Sequence, residues 1–111
     1  MRLVEELSGL LAREASPFRA QLLREDIARL SKVLAMARER RDLAEFRKQA
    51  LYAGWTRDDM RTHELKEPLD KLLAAIHRSV GEPQDRGAEE AVTEAWVAFN
   101  RARIAKLIGC L

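Results

Sequence analysis

"LAMARERRDLAEF", Leu34 to Phe46, decides how many helices this chain makes. Upstream, Leu23, Ile27, Leu30 and Leu34, with Val33 and Ala37 beside them, recur every three or four residues, the period of one helix face. Downstream, Leu43, Phe46, Ala50 and Leu51 do the same. At ~100° per residue the second set points more than ~90° away from the first. One straight helix cannot bury both faces against a single partner. Asp42, followed three residues later by Glu45, matches a capping box, in which a carboxylate reaches back to the start of a helix. The reading is a break between Arg38 and Arg41 and a new helix from Asp42. The competing reading is one long helix that serves two partners.

The rest of the chain repeats this logic. Leu3, Leu7, Leu10 and Leu11 form one face of a helix from about Arg2 to Glu14. Ser16 is placed to cap the next helix, and Pro17 stands where a proline is tolerated, at the first helical position. Leu65, Leu69, Leu72, Leu73, Ile76 and Val80 hold helical register across Pro68. A proline removes a backbone hydrogen bond there, so a kink or a break near Pro68 is expected. Gly81 and Pro83 end that region, and "GEPQDRG" reads as a loop. The last helix is expected from about Ala88 to Ile108, acidic at its start (Glu89, Glu90, Glu94) and basic at its end (Arg101, Arg103, Lys106), as the helix dipole favours. Its inner face carries Val92, Trp96 and Phe99, extended by Ile104, Leu107 and Ile108, and Phe99 and Arg103 are spaced for a cation–π contact.

Composition agrees. The chain has 111 residues, enough for one domain with one core, and only eight are glycine or proline. Leu, Ala, Arg and Glu dominate, all good helix formers. The expected fold is an all-α bundle of four to six helices over residues 1–111. No apolar run is long enough for a membrane span. The N-terminal "MRLVEELSGLLARE" carries Glu5 and Glu6 inside its apolar pattern, unlike a signal peptide. Cys110 is the only cysteine, so no internal disulfide forms and a cytoplasmic setting is expected.

Function is less legible. Ala50, Gly54 and Met60 have a spacing seen in helix-turn-helix DNA readers, which would occupy residues 46–65. Every residue of "GWTRDDM" also has a purely structural role. Gly54 ends a helix, Thr56 and Asp59 cap the next, and Trp55 and Met60 make a hydrophobic staple. The first turn of such a recognition helix would hold Asp58 and Asp59, which repel a phosphate backbone.

The net charge is +2, a mild basicity, but arginine outnumbers lysine fifteen to five. Two clusters, Arg38, Arg40, Arg41, Arg47 and Lys48, then Arg101, Arg103 and Lys106, would track a nucleic-acid backbone if they converged. Glu39, Asp42 and Glu45 interrupt the first, and a solvated helix face is the plainer account. Asp59, His63 and Glu67 share a helix face without forming a known metal motif, so no metal or cofactor is expected. No nucleophile–base pair or phosphate loop appears, so neither an enzyme nor a small-molecule site is expected. The leading expectation is a non-enzymatic interaction module, an accessory or adaptor subunit that binds another protein or itself. Its candidate anchors are Tyr52, Trp55, Trp96 and Phe99, with a core role as the alternative for the last two.

Overall fold

The structure, a computed structural model, describes residues 2–39, 41–50 and 63–109, with the side chains at 63–64 and 106–109 outside the description. Five helices make up the described residues: α1 (Arg2–Arg13), α2 (Pro17–Glu39), α3 (Leu43–Ala50), α4 (His63–Gly81) and α5 (Arg86–Gly109). The fold is a small all-α bundle. Each helix contributes to one core: Leu3 and Leu7, then Leu30, Val33 and Ala37, then Phe46 and Ala50, then Leu69, Leu72, Leu73 and Ile76, and finally Val92, Trp96 and Phe99.

The helix starts follow from local chemistry. Ser16 caps α2 twice: its Oγ accepts from the Arg19 backbone N–H at 3.4 Å and its carbonyl from that of Ala20 at 2.9 Å. The break before Asp42 is present. The Asp42 carboxylate accepts from the Ala44 N–H at 2.9 Å and its carbonyl from that of Phe46, also at 2.9 Å. Such a cap contributes about 1 kcal/mol. An eight-residue helix does not hold itself together in water, so packing must hold α3. Phe46 is fully buried and stacks on His77 of α4, ring centroids 5.3 Å apart. Burying a phenylalanine contributes about 2–3 kcal/mol.

The structure adjusts four expectations. The helix α4 runs unbroken through Pro68. The missing N–H leaves the carbonyl four residues back without its helical donor, and the burial of Leu65, Leu69, Leu72 and Leu73 in the core holds the helix through it. The last helix begins two residues earlier than expected because Asp85 caps it: Oδ1 accepts from the Gly87 N–H at 2.9 Å, and the Asp85 carbonyl from that of Ala88 at 3.2 Å. Leu10 and Ile104, assigned to inner faces, are 50% and 47% exposed, each lying at the edge of its apolar stripe. The remaining core assignments among the described side chains, including Leu65 and the α4 series, are buried or partly buried, and Leu51 and the side chains of Leu107 and Ile108 lie outside the description.

Candidate interaction surfaces

The strongest polar feature is internal. Asp26, in the middle of α2, is 6% exposed. A buried carboxylate is costly unless paired and hydrogen-bonded. Its hydrogen-bonded partner is Arg103 of α5, which donates both arms of its guanidinium, Nη1 to Oδ1 at 3.2 Å and Nη2 to Oδ2 at 3.0 Å, while Arg29, three residues along α2, lies 3.7 Å from Oδ1. Nη2 also donates to Asn100 Oδ1 at 2.8 Å. The guanidinium carbon lies 5.3 Å from the Phe99 ring centre and 5.5 Å from that of Trp96. The expected contact with Phe99 is therefore present, with Trp96 added. This clasp ties α2 to α5 and occupies Arg103.

That removes one of the nucleic-acid candidates. Arg103 is committed to Asp26 and two rings, so it is not free to meet phosphate. Arg47 is half-buried, and its Nε is enclosed with no hydrogen-bond partner among the described residues. Arg38, Arg41, Lys48 and Arg101 are exposed. Arg40 and the Lys106 side chain lie outside the described residues. Among the aromatic anchors, Trp96 (7% exposed) and Phe99 (fully buried) belong to the core. Tyr52 and Trp55 lie outside the described residues, as does most of the helix-turn-helix reading at 46–65, with Gly54, Thr56, Asp59 and Met60. Of the metal-spaced trio, Asp59 and the His63 side chain also lie there. Among the described residues no group of three or more His, Cys, Asp or Glu is placed to hold a metal ion, and no helix is long and apolar enough to cross a membrane.

Two apolar surfaces remain that the sequence reading did not single out. The first lies where α1 turns into α2. Phe18 is 74% exposed, Leu22, one turn further along α2, 46%, and Leu10, near the end of α1, is half exposed. Phe18 stands in the first turn after Pro17, where the chain has turned its apolar face toward Ala20 and left the opposite side to solvent. A spacing of four between Phe18 and Leu22, out of phase with Leu23 and Ile27, was the available signal. The second is an open groove of about 350 Å³ between α4 and α5, floored by Ala75, Ala91, Ala95 and Ala98 and bordered by Pro68, Lys71 and Glu94. Alanine carries little weight in a hydrophobic pattern, so this surface is faint in sequence.

The chain matches no family model, no curated protein and no solved structure. The reading of these surfaces rests on their chemistry.

Proposed function

We propose that this chain is a non-enzymatic helical interaction module, an accessory or adaptor subunit that acts through its apolar surface in a homo-oligomer or a larger assembly. The observation that carries this reading is Phe18. A phenylalanine left three-quarters exposed forgoes about 2 kcal/mol of burial. One turn along α2 Leu22 is also open, in a protein whose large apolar side chains are mostly covered among the described residues. A partner that covers this elbow recovers that burial, and large side chains of this kind are the usual anchors of protein interfaces. A cytoplasmic setting fits a chain with one cysteine.

Native mass spectrometry of the protein isolated gently at low salt from its own cells tests the reading. The expected result is a complex with another protein or with further copies, of which any held through the elbow is lost when Phe18 and Leu22 are replaced by Asp. A mass carrying oligonucleotide overturns it in favour of a second reading, a helical subunit that contacts a nucleic-acid backbone. That alternative rests on exposed Arg38, Arg41 and Lys48 at the α2–α3 corner. Such binding falls steeply with salt and weakens when those residues become Ala. An apolar interface tolerates salt.

A further inference from the structure

We infer that the groove between α4 and α5 is a self-association surface, occupied by the same two helices of a second copy of this chain. The inference rests on the interaction-module reading and names one surface and one partner for it.

The groove's chemistry selects the occupant. In a chain of which 34% is charged, its floor is alanine on both helices, with Pro68 at one end. Small side chains let a second backbone come close, which large or charged ones would prevent. Among the described residues two charged ones border it, of opposite sign and on opposite helices: Lys71 on α4 and Glu94 on α5. Glu94 is exposed and has no ion-pair partner among the described residues. Lys71 meets only Glu67, one turn away at 3.2 Å, and both side chains are more than 70% exposed, so that pair is easily exchanged.

A groove with one positive and one negative rim is complementary to itself. A two-fold axis running along the groove lays α4 of one copy over α5 of the other. Because Lys71 and Glu94 border the same stretch, that operation sets each Lys71 against the Glu94 of the second copy, twice per dimer. The apolar floors then close on each other, and the four helices alternate in direction, as in an up-and-down bundle. Such isologous pairing is the commonest form of self-association. An uncharged occupant would leave Glu94 unpaired, and a partner of a single charge would satisfy only one of the two rims. An interface built on alanine is small, so the association is weak and depends on concentration.

Sedimentation equilibrium of the full chain over a concentration series tests this. The wild type is expected to show a reversible monomer–dimer equilibrium. Lys71→Glu and Glu94→Lys each place two pairs of like charges in the interface and raise the dissociation constant roughly tenfold. The double variant, K71E with E94K, restores association. Both positions are exposed, so the variants fold, and circular dichroism verifies it. A monomer at every concentration overturns the inference. So does a dimer indifferent to both reversals, or a double variant no better than the singles. A monomer that still captures a different protein through Phe18 overturns this inference alone and leaves the interaction-module reading standing.

Discussion

Arg101 and Arg103 stand two residues apart on α5 and lead opposite lives. Arg103 turns inward and is held by Asp26, Asn100 and two aromatic rings. Arg101 is exposed to solvent. In sequence both belong to one basic cluster at the end of one helix. A step of two residues rotates a side chain through most of a half-turn, enough to carry one arginine over the core and the other away from it. Counting basic residues therefore says little about a basic surface until the helix phase is known.

The most forceful way to break this contrast is to remove the partner that distinguishes the two. Asp26→Ala leaves the Arg103 guanidinium against two rings with only Asn100 to satisfy it, and is expected to cost about 3 kcal/mol in urea unfolding. Arg101→Ala is expected to change stability by no more than ~0.5 kcal/mol. Equal effects at the two sites would dissolve the distinction. A smaller effect sharpens it at the other end of α5, where an exposed ionic group also has a structural task. The Asp85 carboxyl is held below its ordinary value of 3.8, chiefly by the Gly87 backbone N–H, with help from Glu82 and Arg78 and against the opposing effect of burial. The folded group is thus more acidic than the unfolded one. Its contribution to stability is complete above that ordinary value and fades as pH falls through the lower folded one. Acid unfolding of Asp85→Asn is expected to lack this low-pH slope. The same slope in both proteins would mean that the ionisation of Asp85 contributes nothing to stability.

Much of the architecture was readable because it is local. The break before Asp42 announced itself through a change of phase and a capping residue within five positions. Ser16 with Pro17, and Phe99 with Arg103, lie within one turn of each other. What the sequence hid was long-range or weakly marked. Asp26 is one acid among eighteen, and nothing near it indicates an arginine 77 positions away as its partner. Asp85 sat inside what looked like plain loop, because its capping contacts run to Gly87 and Ala88 rather than to an apolar start. The aromatic anchors drew attention that Phe18 did not, since a buried aromatic and an exposed one are the same letter. The alanine floor of the α4–α5 groove was spelled out, but alanine counts for little in any hydrophobic period.

The clasp between Asp26 and Arg103 also has a meaning in time. The α4–α5 hairpin closes across residues 82–85, a short loop that forms early. Joining positions 77 apart costs more chain entropy and yields contact only once both ends are in place. The clasp is therefore expected to be made late, after the barrier has been crossed. In stopped-flow kinetics, Asp26→Ala is expected to speed unfolding and leave refolding nearly unchanged. On that account the pair does little to guide the chain to its fold and a great deal to set how long it stays there.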